Sequence, residues 1–436
     1  MKKITRRFFL QITALSAADL LAGCAVNPVS GKSQFMLLSE EQELAVDRQN
    51  SPHQFSADYG LVQDPALLTY INKTGRHIAS FTHRPHLPYS FNCVNAVYIN
   101  AYAFPGGTVG MTRGILLSLE SEAELAALMG HELGHINARH TAQQMSKSTI
   151  IGALSGGITA IAGAQNQTLG RLASQVSALG AGALLASYSR DHEREADALG
   201  MEYMVRSGYS PQGALHLMEM LTKTSKHQPS ALELMFATHP MSSERYADAQ
   251  RNLQTRYQRA SGLPFFQERY MDNTAGLRAD KKTIIAIQNA EKALGKNNMS
   301  EAETLLNTAL TSKPSDYTAL CLMAKLQLIS NNSTMALSYG RRAVESYPTE
   351  AQGHFLSGLA NMGLKRYQAA LDNFQENQRL LAGNPNLLFY MGLSFEGMQN
   401  IEQAARHYIT FLNSVRQGDN AQHAYQQLVK WGYIKN

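Results

Sequence analysis

Two histidines four residues apart, with a glutamate directly after the first, are the residues of this chain best suited to chemistry: His131-Glu132-Leu133-Gly134-His135. On a helix, positions four apart lie about 40° from eclipsed, so both imidazoles can reach one metal ion while Glu132 stands on the adjacent face. Zinc held by three such ligands keeps a fourth position for water and lowers that water's pKa to about 7. Glu132 would take the proton and return it to a leaving amine, which is the work of a peptidase. With 14 histidines and 34 acidic residues in 436, chance supplies the pattern only about 0.03 times. The bland account, two histidines on a solvated helix, gives way once a third ligand can be named.

A metzincin would place glycine three and histidine six residues after His135, where this chain has Ala138 and Thr141. That class is excluded. His140, about 140° further round a helix, reads as a surface residue or a neighbour of the ligands. The remaining source is a carboxylate on a later helix. Arg190-Asp191-His192-Glu193-Arg194-Glu195-Ala196-Asp197 opens one, with Glu193 and Asp197 four apart on a single face. Spacing alone does not choose between Glu193 and Glu195.

The elements that must hold these groups are partly legible. Ser121 with Glu124 forms a capping box, and Leu125, Leu128, Met129, Leu133 and Ile136 repeat at helical spacing, so the first motif lies on a helix. Further along, Ala290, Ala324, Gly358 and Gly392 recur every 34 residues, as do Ala302, Ala336, Ala370 and Ala404. The period and the small residues match the tetratricopeptide repeat, in which paired antiparallel helices approach closely. Phe374 and Tyr408 take the large position, and Pro314 and Pro348 close the first two repeats. Pro385 comes three residues late, which predicts a turn rebuilt around Gly383-Asn384. Residues 421–436 read as a capping helix.

The first 24 residues have the order of a lipoprotein export signal: basic Lys2 to Arg7, a mostly apolar stretch, then Leu21-Ala22-Gly23-Cys24. Cleavage would leave Cys24 as a lipidated terminus, and Arg6-Arg7 resembles a twin-arginine signal. Asp19 is the misfit in the apolar stretch. The net charge is +5, but the signal carries +3 of it, and no basic stripe interleaved with aromatics indicates a nucleic-acid partner. Cys93 and Cys321 read as two buried thiols. Residues 148–189 contain one charge, Arg171, yet Gln165-Asn166-Gln167 and many glycines favour interior helices over a membrane hairpin.

His131-Glu132-Leu133-Gly134-His135 followed by Glu193-Arg194-Glu195-Ala196-Asp197 resembles the zinc peptidases that include the CAAX prenyl endoprotease and the heat-shock protease HtpX. Asn27-Pro28-Val29-Ser30-Gly31 is similar to the segment after the lipid cysteine in lipoprotein members. The resemblance implies one zinc ion per chain, with His131, His135 and Glu193 as ligands and Glu132 as general base. It implies that Asp197 orients a ligand histidine. It further implies that His239 and Arg245 steady the tetrahedral intermediate, or that His239 covers the metal in a resting form. Asn100-Ala101-Tyr102-Ala103 is similar to the family's edge strand, on which substrate is laid.

The expected fold is mainly α: a zincin-type metallopeptidase domain with a small β-sheet, followed by an α-solenoid of tetratricopeptide repeats. The expected divisions are a signal peptide at 1–23, a lipidated linker at 24–39, the peptidase domain at 40–262, a linker at 263–282 and four repeats with a cap at 283–436. The expected function is a periplasmic zinc endopeptidase, lipid-anchored to the outer membrane because Ala25 is not an inner-membrane retention aspartate. Its substrates would be unfolded or misassembled envelope proteins, and the resemblance implies the outer-membrane barrel assembly machinery as a partner. The rivals are a chaperone or adaptor with a dormant zinc site, and a peptidoglycan-directed or scaffolding lipoprotein. The first needs no base at Glu132, and no sugar-binding constellation supports the second.

Overall fold

The computed structural model describes residues 24–146, 188–227 and 233–434. The expected signal segment, the side chain of Cys24 and residues 148–187 of the apolar stretch lie outside that description. Among the described residues no helix is long and apolar enough to cross a membrane.

The chain opens with a hairpin of β1 (Cys24–Val26) and β2 (Ser33–Phe35). Its turn is held by the Asn27 side chain, which accepts from the Val29 and Ser30 N–H groups at 2.8 and 3.1 Å. Helices α1 (Glu40–Ala57) and α2 (Pro65–Ala79) follow, the second started by the Asp64 carboxylate with Pro65 at its first position. The sheet is small. Strand β3 (Ser90–Val94) runs parallel to β5 (Thr108–Thr112), and β4 (Ala101–Ala103) pairs antiparallel to β5, giving the order β3-β5-β4 with β4 at an edge.

After α3 (Arg113–Ser118) comes α4 (Glu122–Asn137), every residue of which is buried. It starts as expected at Ser121, whose hydroxyl accepts from Glu124 N–H, but the return bond from Glu124 goes to the N–H of Glu120. Helix α5 (Arg190–Arg206) packs along it, followed by α6 (Gln212–His227), α7 (Glu233–Thr238) and α8 (Ser243–Gln254).

The stretch 263–282 is mostly helical, as α9 (Gln267–Asn273) and α10 (Ala275–Ala279). It is packed down: Tyr270 is fully buried with its hydroxyl donating to the Leu116 carbonyl at 2.6 Å. Arg269 ion-pairs with Glu122 at the start of α4. Gly276 lies inside α10 and Pro264 just before α9, so neither frees the chain.

Four helix pairs come next: α11 (Lys281–Gly295) with α12 (Met299–Ser312), α13 (Tyr317–Ile329) with α14 (Ser333–Ser346), α15 (Ala351–Gly363) with α16 (Tyr367–Leu380), and α17 (Pro385–Gly397) with α18 (Ile401–Ser414). Helix α19 (Asp419–Lys430) covers the end. These are stacked tetratricopeptide-type hairpins. The small positions are where the helices touch: a Cβ on Gly358 would lie 2.4 Å from the Phe374 ring, and one on Gly392 would lie 2.6 Å from Tyr408. Late-placed Pro385 keeps the period, because Gly383 turns the chain at φ 105° and Pro385 begins α17.

The first helix pairs sit on α3 and the loop after β3 through buried polar contacts. Arg113 pairs with Asp316 at 2.8 Å and donates to the Asn95 carbonyl at 2.8 Å, and Gln288 donates to the Val97 carbonyl at 2.7 Å. One apolar core accordingly runs from Tyr59 to Leu356, and a second fills the last repeats. Cys93 and Cys321 are both buried and unpaired with each other.

Candidate metal centre

Helices α4 and α5 come together through glycine. A Cβ on Gly130 would lie 2.9 Å from the Gly200 carbonyl oxygen, and one on Gly134 would lie 2.7 Å from that of Ala196. Backbone therefore meets backbone, and the carboxylate of Glu193 on α5 reaches the imidazoles of α4. His131 Nε2 and His135 Nε2 are 3.1 Å apart, and Glu193 lies 3.5 Å from the first and 3.3 Å from the second. From the end of α7, His239 brings Nδ1 to 3.3 Å from His131 Nε2 and 3.1 Å from Glu193.

These four donors all lie within 4.8 Å of one another. Zinc at about 2.0–2.1 Å from tetrahedral ligands requires donor–donor edges of about 3.3 Å. The nearest approaches, 3.1 to 3.5 Å, lie close to that figure, with Glu193 meeting His131 through Oε2 and His135 and His239 through Oε1, and the donor set of imidazole and carboxylate is one zinc accepts.

The surroundings set the charge state. His131 Nδ1 is 2.9 Å from Asp197, and Asp197 is gripped by Arg245 at 2.6 and 2.7 Å. The same guanidinium lies 2.6 Å from Glu193. Burial opposes ionisation of Glu193, but His239 and His131 outweigh it and hold its carboxyl far below the usual range. Burial drives the His135 pKa well down, keeping that imidazole neutral as a ligand must be. For His131, burial would do the same, but the Asp197 hydrogen bond and Glu193 reverse the sign and raise it. Glu132 is different: it is buried, burial raises its pKa, and neither carboxylate oxygen has a hydrogen-bond partner among the described residues.

The expected residues are distributed as follows. His131, His135, Glu193 and His239 converge, Asp197 and Arg245 back them, and Glu132 stands beside His239 Nε2 at 3.9 Å. Glu195 turns away to His140 at 3.2 Å. Asn100 is buried, and among the described residues both its amide atoms are unpartnered; Ala101, Tyr102 and Ala103 form the edge strand β4, which packs on α4. Tyr102 is anchored by its hydroxyl, which donates to Asp58 at 2.6 Å.

Two neighbours escaped the sequence reading or were left open by it. Tyr188 stacks on His135 with ring centroids 3.8 Å apart and shares a 2.8 Å hydrogen bond with Thr141. An aromatic just before the Arg190 helix carries no signal of such a role. His140 is fully buried and its Nδ1 lies 3.0 Å from His135 Nδ1, because the chain breaks at Arg139 (φ 60°) before turning helical again.

Residues 65–253 match the model of Peptidase family M48. The Beta-barrel assembly-enhancing protease of Yersinia pestis is 27% identical over 349 residues, 74% of this chain and 70% of that protein. The protein of the same name from Escherichia coli (strain K12) is 32% identical over 195 residues, and the match spans 43% of this chain and only 39% of that relative. Among solved structures, the tetratricopeptide-repeat protein YrrB aligns with 48% of this chain and 99% of its own at 16% identity and a TM-score of 0.32.

Proposed function

Because this chain is a metalloprotease of the M48 family, we propose that it is a zinc endopeptidase of the periplasm that cuts unfolded or misassembled envelope proteins. The observation that carries this reading is the convergence of His131, His135, Glu193 and His239, with donor atoms within 4.8 Å of one another, beside a Glu132 carboxylate that has no hydrogen-bond partner among the described residues. The names of the curated relatives support the envelope setting. In this reading the peptidase domain occupies 40–262 and the repeats from 283 recruit substrate or the outer-membrane barrel assembly machinery. Cys24 carries the lipid that anchors the chain to the outer membrane.

His131, His135 and Glu193 would hold zinc, which when bound polarises the scissile carbonyl and eases ionisation of water. Glu132 takes the proton of the attacking water; its raised pKa suits it to keep that proton until the amine leaves. Strand β4 offers edge backbone groups to an extended peptide, which selects unfolded segments. Arg245 braces Glu193 and Asp197, and His239 donates to the developing oxyanion once it leaves the donor set.

The test is zinc content and casein cleavage for wild type and Glu132→Gln. Zinc in both with cleavage by wild type alone supports the reading. A dormant site in a chaperone or adaptor is the second reading, favoured by His239 Nδ1 standing among the donors, 3.3 Å from His131 Nε2 and 3.1 Å from Glu193. Zinc in both with cleavage in neither favours it. His239→Ala separates the roles of that residue: higher activity means that it covers the metal, lower activity that it assists.

A further inference from the structure

A strand of three residues that receives a substrate must itself be held in place, and the holder here is helix α1. Strand β4 pairs with β5 alone, so its own ladder fixes it weakly. An added strand that slips by one residue turns every side chain to the opposite face, so cutting at a defined bond needs β4 fixed beside the metal centre. Two buried carboxylates, one in the middle of α1 and one at its end, supply this. Asp47 accepts from the Thr108 N–H at 2.9 Å and packs on Gly106, where an added Cβ would lie 2.7 Å from its own, and so holds the turn between β4 and β5. Asp58, the C-cap, accepts from the hydroxyls of Tyr98 at 2.5 Å and Tyr102 at 2.6 Å, and from Gln54 at 2.9 Å. Tyr102 is the middle residue of β4, and its ring covers Gly110 of β5, where a Cβ would be 2.5 Å from it.

Asp58 is in turn held from the repeats. The chain leaves α1 through Tyr59 at φ 66° and Gly60 at φ 75°, and a tyrosine in the left-handed region needs its surroundings to keep it there. Helix α13 sends the Lys325 ammonium to the Tyr59 hydroxyl at 3.3 Å and to 4.6 Å from the ring centroid. From α15, Gln352 donates to the Ser56 carbonyl at 2.8 Å, and Glu350 just before that helix accepts from the Ser56 hydroxyl. A Cβ on Gly60 would lie 2.6 Å from Glu350 Cγ. Burial raises the pKa of Asp58, and Gln54, Tyr102, Tyr98 and the Lys325 charge oppose it. The turn at 56–60 therefore meets the anchor of β4 on one side and the second and third helix pairs on the other.

We infer that Asp58 is a positioning residue for the substrate strand and that the repeats act on cleavage through it: α13 and α15 hold the turn at 56–60, and the turn sets β4. The inference rests on the endopeptidase reading, in which β4 receives an extended peptide. None of these contacts comes from α4 or α5, which carry His131, His135 and Glu193. A load on the repeats that shifts the turn therefore changes how firmly substrate is held and leaves the metal ligands in place.

The experiment uses the zinc-loaded full chain and a fluorogenic peptide of about ten residues, long enough to lie along β4. Asp58→Asn should raise KM about tenfold, with kcat within about twofold of wild type and zinc affinity unchanged, because binding lost equally from ground and transition state appears in KM. Tyr102→Phe, which removes only the hydroxyl, should raise KM likewise, and it carries the test if Asp58→Asn does not fold by circular dichroism. Lys325→Met, a change in the repeats, should raise KM about threefold alone and less than about 1.5-fold on top of Tyr102→Phe, since the two act along one chain of contacts. An equal rise in both backgrounds overturns the link to the repeats. Unchanged KM in the folded Asp58 and Tyr102 variants, or a fall in kcat or zinc affinity in its place, overturns the positioning role and leaves the endopeptidase reading intact. Absence of cleavage by wild type sinks that reading and the inference with it.

Discussion

Gly134→Ala tests whether the contact between α4 and α5 sets the metal centre. A methyl group there would sit 2.7 Å from the Ala196 carbonyl oxygen and 2.8 Å from its Cα, against an ordinary contact of 3.4 Å or more. Both obstacles are backbone, so α5 must retreat by about 0.7 Å, and Glu193 goes with it. Overpacking of this kind costs about 1–3 kcal/mol, while replacing a mid-helix glycine returns about 1 kcal/mol, so the metal-free protein should lose only about 0–2 kcal/mol. The larger effect falls on the site: donor edges now at 3.3 and 3.5 Å would open toward 4 Å, and zinc affinity should fall by about 10–100-fold. Competition with a chromophoric chelator measures the affinity, and urea melts of the metal-free protein measure the stability. Gly295→Ala is the control, because nothing lies within 4 Å of its added methyl; it should bind zinc normally. Wild-type zinc affinity in a folded Gly134→Ala protein would refute the argument that this helix contact positions Glu193.

Three further outcomes follow from buried charges. Asp197→Asn should lower zinc affinity about 10–100-fold in the same chelator assay, because His131 loses the carboxylate that fixes its orientation. Asp316→Ala leaves Arg113 buried and unpaired and should cost about 3–5 kcal/mol in urea melts, with the double variant Arg113→Met, Asp316→Leu costing less than the sum of the singles. Burial opposes ionisation of Asp316, but Arg113 outweighs it and lowers the pKa, so this stability is present above about pH 4 and is lost as pH falls through the depressed value. Glu291 has the opposite sign. Burial raises it to about 7, so between its ordinary value and 7 the folded state binds more protons and stability falls as pH rises. The full span would be worth about 3 kcal/mol, and partial exposure of the side chain discounts it to about 1–2 kcal/mol. Glu291→Gln should abolish that part of the difference between urea midpoints at pH 5 and pH 8; an equal difference in both proteins would remove Glu291 as its source.

Much of the candidate site could be read in one dimension because its first parts are local. Ser121 caps, the apolar spacing from Leu125 to Ile136 makes a helix, and the four-residue interval between His131 and His135 then puts both imidazoles on one side of it. Glu193 and Glu195 illustrate the limit. Both precede Asp197 on the same helix, and only the packing of α5 on α4 turns Glu193 to the histidines and Glu195 to His140. The Arg245 guanidinium meets Asp197 across 48 residues and Glu193 across 52, contacts that no local pattern encodes.

By itself the sequence determined what depends on periodicity and residue type. Helical spacing, the 34-residue recurrence of small residues and the donor chemistry of two histidines with a glutamate are properties of neighbours along the chain, and neighbours are printed side by side. The tertiary structure decided what depends on distance. It brought His239 to within 3.3 Å of His131 across 108 residues, stacked Tyr188 on His135 and packed the stretch 263–282 against α4. It also left an apolar space next to the donors, bounded by residues of five helices, α4 to α8. Backbone contact at glycines sets those distances, and a glycine in the sequence shows only that contact is permitted, not where it falls.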